Sequence, residues 1–225
     1  MKVTWLGQAG LYLQMGGLKI IIDPYLTDSV GKIDPSKSRR IPVDESVFDI
    51  EPDVLIFTHD HLDHYDPESA ERYLRQDKGF LVLAPNGCWQ KARAIGGKHN
   101  YMLFDSGTEW TQGDVKFTAV SAVHSDPYAI GLLIEAEGKT VYITGDTLYS
   151  RKLLNALPDN IDVIFLPING VGNNMNMTDA ARLAKDSKAK LAVPIHVGMM
   201  DEIDPNEFPC QNKKVLTVYK ETEIN

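Results

Sequence analysis

The stretch Thr58-His59-Asp60-His61-Leu62-Asp63-His64 concentrates imidazoles and carboxylates in a few consecutive residues. Neutral imidazole and ionised carboxylate are the ligands that zinc, manganese or iron accept. The motif follows a short β-branched apolar run, VLIFT at 54–58. A strand places alternate side chains on one face, so His59 and His61 can point the same way. A turn after them can swing Asp63 and His64 toward a neighbouring point. Two imidazoles on one side and a carboxylate with an imidazole on the other suit two metal ions rather than one.

Each ligand set must be completed from elsewhere in the chain. His124 follows VKFTAVSAV, Asp146 follows TVYITG and His196 follows KLAVPI. Alone, a histidine at a strand end is an ordinary packed residue, and an Asp after Gly is a turn residue. Beside the motif at 58–64, these three strand ends are the natural completion, because strands hold ligands rigidly. Two divalent ions, zinc or manganese first and iron or nickel next, would share a hydroxide that attacks a carbonyl carbon or a phosphorus. Asp63 and Asp146 are the candidate catalytic carboxylates, Asp63 also carrying protons. No Gly-x-Ser-x-Gly elbow competes, and Ser125 beside His124 reads as a bystander.

The elements that must position these residues follow from the hydrophobic pattern. Strands are expected at 3–6, 11–15 and 18–23, the last two joined in a hairpin by Gly16-Gly17. Further strands are expected at 54–58, 80–84, 115–122, 129–135, 140–144, 162–168 and 190–196. Helices are expected near 67–76 with Asp66 as N-cap, near 86–95, over SRKLLNAL, and over TDAARLAKDSK with Thr178 as N-cap. Residues 27–50 read as a long polar loop, the kind that often carries function. Strand-rich blocks each followed by helices imply sheets covered by helices.

Composition bounds the rest. The 225 residues are 43% hydrophobic, enough for one well-buried core in a single domain over 1–225. A net charge of -8 argues against sequence-independent nucleic-acid binding, but a metal site can still attract a small anion. No apolar run is long enough for a transmembrane helix. The start, MKVTWLGQAG, lacks the apolar stretch of a signal peptide, and the two cysteines, Cys88 and Cys210, form no CxxC pair. A cytoplasmic protein with reduced thiols is the expectation, binding a small-molecule substrate and neither nucleic acid nor membrane.

In the ordered set His59, His61, Asp63, His64, His124, Asp146 and His196, the sequence resembles the metallo-β-lactamase superfamily. The match spans almost the whole chain. The resemblance implies an α+β fold, a four-layer αββα sandwich, with the site at one sheet edge. It implies one metal held by His59, His61 and His124, another by Asp63, His64 and His196, and Asp146 bridging them. Asp23, ending LKIIID, falls where the family often keeps an Asp that orients a ligand histidine; before Pro24 it is otherwise a turn residue. WLGQAGLYL, THDHLDH, GDTLYS and AVPIH are similar to L-ascorbate-6-phosphate lactonase and its relatives. A homo-oligomer is compatible with that resemblance. Asp146 stands where some secreted β-lactamases use Cys, so antibiotic hydrolysis is not expected.

Substrate contacts are assigned by position. Arg39 and Arg40 lie in the long loop and suit bidentate phosphate binding, or form a solvated pair. Tyr149 follows Asp146, and Asn169 and Asn173 lie in NGVGNNMNM between a strand and a helix. His99, in GGKHN, reads as a surface residue. The expected activity is hydrolysis of a small ester, lactone or phosphoester, including a sugar-phosphate lactone. The alternatives are a phosphodiesterase or nuclease of the same fold, a di-iron oxidoreductase, and a non-catalytic scaffold.

Overall fold

A computed structural model describes residues 1–225. It contains two mixed sheets flanked by helices. The first sheet holds β1 (Lys2–Gly7), β2 (Gly10–Met15), β3 (Leu18–Ile22), β4 (Val54–Ile56), β5 (Leu81–Ala84) and β6 (Asn100–Leu103), with β13 (Glu221–Glu223) beside β1. The second holds β7 (Glu109–Gln112), β8 (Val115–Ser121), β9 (Ile130–Ala136), β10 (Lys139–Ile143), β11 (Val163–Pro167) and β12 (Leu191–Ile195). Both sheets follow one plan. β1, β2 and β3 run antiparallel and β4 then pairs parallel with β3; β8, β9 and β10 run antiparallel and β11 then pairs parallel with β10. The β2–β3 turn is Gly16-Gly17 and the β9–β10 turn is Glu137-Gly138, both left-handed at both residues, as tight hairpins require.

Period-two alternation divides the core. Ile20 and Ile22, Val54 and Ile56, and Leu81 and Leu83 face the second sheet, while Ile21, Leu55 and Val82 face outward. The outward residues are covered by α2 (Pro67–Leu74) and α3 (Asn86–Ile95), through Ala70, Tyr73, Leu74, Cys88 and Ala92. Strands buried on both faces carry unbroken apolar runs, which is why they were legible. Behind the second sheet lie the one-turn α4 (Arg151–Leu154) and α5 (Met177–Asp186), whose Ala180, Leu183 and Ala184 are buried. No helix is long and apolar enough to cross a membrane.

Several expectations need correction. Residues 27–50 are not structureless: α1 (Ser29–Ile33) and 3-10 turns at Pro35–Lys37 and Glu45–Asp49 lie within them. The side chains of Asp34 and Asp44 cap those turns. Helix α2 stops at Leu74; Asp66 is its N-cap residue as expected, but its side chain accepts from Ser69 Oγ rather than from a backbone N–H. Asn176, not Thr178, caps α5, accepting from Asp179 N at 2.9 Å. The strands β6, β7 and β13 carry no clear alternation because they are polar or lie at sheet edges. His99 is half-buried: its ring packs on Phe80 and its Nε2 lies 2.9 Å from Leu74 O.

Candidate metal centre

The site forms where strands of both sheets end. Two backbone bonds cross between the sheets there: Ile130 N donates to Thr58 O (3.1 Å) and His196 N to Gln8 O (2.8 Å). β4 stops at Ile56, so His59 and His61 stand on the loop beyond it, and strand alternation does not align them. A turn does: His64 N and Tyr65 N both donate to His61 O, at 3.0 and 2.8 Å. Asp60, between the two histidines, turns away to Lys91 Nζ at 2.6 Å. Gly145, just before Asp146, adopts φ +59 with its Cβ position only 2.5 Å from Ile130 O, so only glycine fits. Gln8, Asp23 and His196 are non-glycine residues in the left-handed region, at φ 49, 44 and 56. Such backbone costs of order 1–3 kcal/mol per residue and persists where surrounding structure enforces it.

The chain has six histidines, and His99 alone lies outside the site. The others form two groups with donor atoms within 4.8 Å of one another: His59, His61, His124 and Asp146, and then Asp63, His64 and His196. In the first group His61 Nδ1 lies 3.0 Å from His59 Nε2 and 3.1 Å from His124 Nε2. In the second, His196 Nε2 lies 3.1 Å from Asp63 Oδ2 and 3.2 Å from His64 Nε2. Asp146 stands between them. Its Oδ2 is 4.0 and 3.9 Å from His59 and His124 Nε2, and its Oδ1 is 3.2 Å from His64 Nε2.

Charge is distributed unevenly over the groups. Burial, and then the neighbouring His64, holds the His59 imidazole well below its usual pKa; burial likewise lowers His124. Burial opposes charge on His64 as well, but the carboxylates of Asp146, Asp23 and Asp63 overcome it and raise that pKa well above normal. His196 rises to about 10, with Asp146 and Asp63 outweighing burial. Asp63 and Asp146 are held below the carboxylate range despite burial, mainly by His64 for the first and His196 for the second. Asp146 Oδ1 is buried and accepts no hydrogen bond. Imidazole nitrogens facing one another at about hydrogen-bond distance, buried carboxylates and an orphaned oxygen together fit divalent cations.

Outer partners fix the rings. Asp23 is 1% exposed; His64 Nδ1 donates to its Oδ2 at 2.7 Å, leaving Nε2 toward the site. Thr58 N donates to Asp23 Oδ1 at 2.8 Å, and Thr58 Oγ1 lies 3.1 Å from His59 Nδ1. His124 Nδ1 meets Asn173 O at 3.3 Å, and the Asn169 amide meets His196 Nδ1 at 3.1 Å. Asn174 Nδ2 donates to Asp146 Oδ2 at 2.7 Å.

A cavity of about 460 Å³ opens on His61, Asp63, Asp146 and His196, with Asn169, Asn173, Ser125 and Lys37 in its walls. Three expected substrate contacts are not in it. Arg39 spends its guanidinium on Tyr25 O, Ile41 O and Tyr219 Oη. Arg40 pairs with Glu202 and Asp201 O. Tyr149 donates to Asp186 Oδ2 at 2.7 Å under the Arg182 guanidinium, on the α5 side. Each is bound to protein acceptors that loop composition does not reveal. Lys37, Gln8, Thr58 and Asn174 were not singled out. Gln8 lies in WLGQAGLYL, Thr58 in THDHLDH and Asn174 in NGVGNNMNM; Lys37 gives no local signal.

Residues 19–197 match the family described as "Beta-lactamase superfamily domain". A UPF0173 metal-dependent hydrolase of Geobacillus thermodenitrificans is 33% identical, over 92% of this chain and 91% of its own length. One from Staphylococcus saprophyticus is 34% identical, over the same shares. The solved structure of Igni18, a metallo hydrolase from Ignicoccus hospitalis, aligns with a TM-score of 0.77 at 21% identity, covering 100% of this chain and 99% of that one. The chain belongs to the metallo-β-lactamase superfamily and, within it, to the UPF0173 metal-dependent hydrolases.

Proposed function

We propose that this metal-dependent hydrolase cleaves a small ester, lactone or phosphoester that carries an anionic group. The observation that carries this reading is the cavity: about 460 Å³, walled on one side by both candidate metal groups and holding Lys37 as its one Lys or Arg. That volume suits a small molecule rather than a polymer. A sugar-phosphate lactone would meet both features.

His59, His61 and His124 would hold one divalent ion, Asp63, His64 and His196 a second, with Asp146 reaching both; zinc or manganese suits these donors best. Bound ions of this kind bring the pKa of water toward neutrality and polarise the scissile bond. The chain's own residues do the rest. Asp23 fixes the His64 ring through Nδ1. Asn174 holds Asp146 at Oδ2 and so sets the angle at which its carboxylate spans the two groups. Asp63 has its Oδ2 against Gln8 Nε2 and His196 Nε2, which leaves Oδ1 to hold a proton during turnover. Asn169 and Asn173 line the cavity and orient the substrate, while Lys37, whose Nζ also lies 3.3 Å from Asp34 Oδ2, attracts its anionic group.

Elemental analysis of purified protein, with an assay against lactones, esters and phosphodiesters, tests this reading. The expected result is about two divalent ions per chain and a hydrolytic activity lost to chelator and restored by metal. Protein that holds no metal and takes none up overturns it. A coloured, redox-active iron pair without hydrolysis would favour the oxidoreductase instead.

A further inference from the structure

The two sheets share a plan, and the site uses corresponding stations of each. In the second sheet the β8–β9 connection carries His124, and Asp146 stands three residues beyond β10. In the first sheet the β1–β2 turn carries Gln8 and the residue beyond β3 is Asp23. Asp23 already has a part in the centre, through His64. Gln8 touches two candidate ligands, Asp63 and His196, and has no part in the centre so far.

Gln8 is built into the site. It is 3% exposed and sits at φ 49. Its carbonyl accepts from Trp5 Nε1 and from His196 N, both at 2.8 Å, so its main chain is tied to the strand end that carries a candidate ligand. Its carboxamide nitrogen lies 2.9 Å from Asp63 Oδ2 and 3.2 Å from each ring nitrogen of His196. Those spacings match the ones inside the group itself, 3.1 Å for His196–Asp63 and 3.2 Å for His196–His64. Meanwhile Oε1 is buried with no hydrogen-bond partner, which costs about 1–3 kcal/mol. The two ends of a carboxamide have the same shape. Rotation about the terminal bond puts Oε1 where Nε2 stands, beside the Asp63 carboxylate. That rotation gives up the N–H donated to Asp63 and moves Nε2 to the unpartnered position, so it is favoured only with a cation between Oε1 and the carboxylate.

We infer that Gln8 supplies a further oxygen ligand to the cation held by Asp63, His64 and His196, taking in the first sheet the station that His124 takes in the second. This rests on the two groups binding metal, and the test separates the two claims. Metal affinity and stoichiometry are measured by titration against a competing chelator for wild type, Gln8→Ala and Gln8→Glu. Cobalt(II) absorption spectra of the same proteins report coordination directly. The expected result is two ions in wild type, a loss of about tenfold or more in affinity for one ion in Gln8→Ala, and a changed cobalt spectrum. Gln8→Glu, which keeps an oxygen donor, holds both ions at least as tightly as wild type. If Gln8 merely donates an N–H to Asp63, Gln8→Ala loses affinity while its cobalt(II) spectrum keeps the wild-type band positions and intensities, because the number of ligands is unchanged; that outcome overturns the inference. Wild-type affinity and an unchanged cobalt spectrum in Gln8→Ala overturn it too. Wild-type protein without metal overturns the metal centre itself.

Discussion

The two ligand groups lie within one site, yet His59 and His124 of one and His64 and His196 of the other are pushed toward different protonation states. In the first group His59 and His124 are driven toward the neutral form, because they are buried among other imidazoles and share one carboxylate. In the second, His64 and His196 are driven toward the charged form, because Asp146, Asp63 and Asp23 surround them. Their outer partners differ as well. Asp23 and Asn169 brace the rings of the second group, whereas His61 has at its outer nitrogen only the Ser125 hydroxyl, at 3.5 Å. Histidine is therefore not one kind of ligand. Carboxylates around the second group favour a positive charge there, while burial keeps His59 and His124 of the first neutral.

The largest effect should come from the residue common to both groups. Asp146→Ala is expected to unbalance both and remove activity, well beyond the roughly 10–100-fold that loss of an outer partner costs. His61→Ala should do so through the first group alone. Full activity with normal metal content in either variant would contradict the assignment. Metal removal should show next, as a fall in stability. If each ion is present at about 100 times its Kd, linkage contributes about 2.7 kcal/mol per site. For a chain of this size that is a Tm shift of about 5–10 °C for each ion removed by chelation, read by differential scanning calorimetry. An unchanged Tm would mean that the groups hold no cation in the folded protein.

Smaller substitutions sharpen the contrast between the groups. Asp23→Asn should weaken metal binding at the second group by about 10–100-fold, measured by chelator competition. Ser125→Ala, which removes the corresponding contact of the first group, should change affinity by less than about threefold. Equal losses in the two variants would erase the distinction drawn between them. Smallest of all, Lys37→Ala should raise KM for anionic substrates by a factor of about 3–5, the scale of an exposed charge contact, with kcat nearly unchanged. The same shift with a neutral ester would show that Lys37 does not read charge.

The ligand types were legible because they sit at local signals. His59 to His64 are contiguous, and His124, Asp146 and His196 each follow an apolar run whose period announces a strand. Central strands were legible for the same reason: burial on both faces leaves an unbroken apolar stretch, while the polar edge strands β6, β7 and β13 leave none. What the residues contact was not legible. Arg39 and Lys37 are two positions apart in one polar loop, and only the fold sends Arg39 to Tyr25 and Tyr219 and Lys37 to the cavity wall. Asn174 rather than its neighbour Asn173 places its amide on Asp146, and Gln8 reaches His196 across most of the chain. Sequence alone determined which chemistry the chain can do, because ligand types and strand periodicity are local. Tertiary structure decided which groups meet, because the contact between Gln8 and His196 exists only once two sheets close on one another and their strand ends coincide.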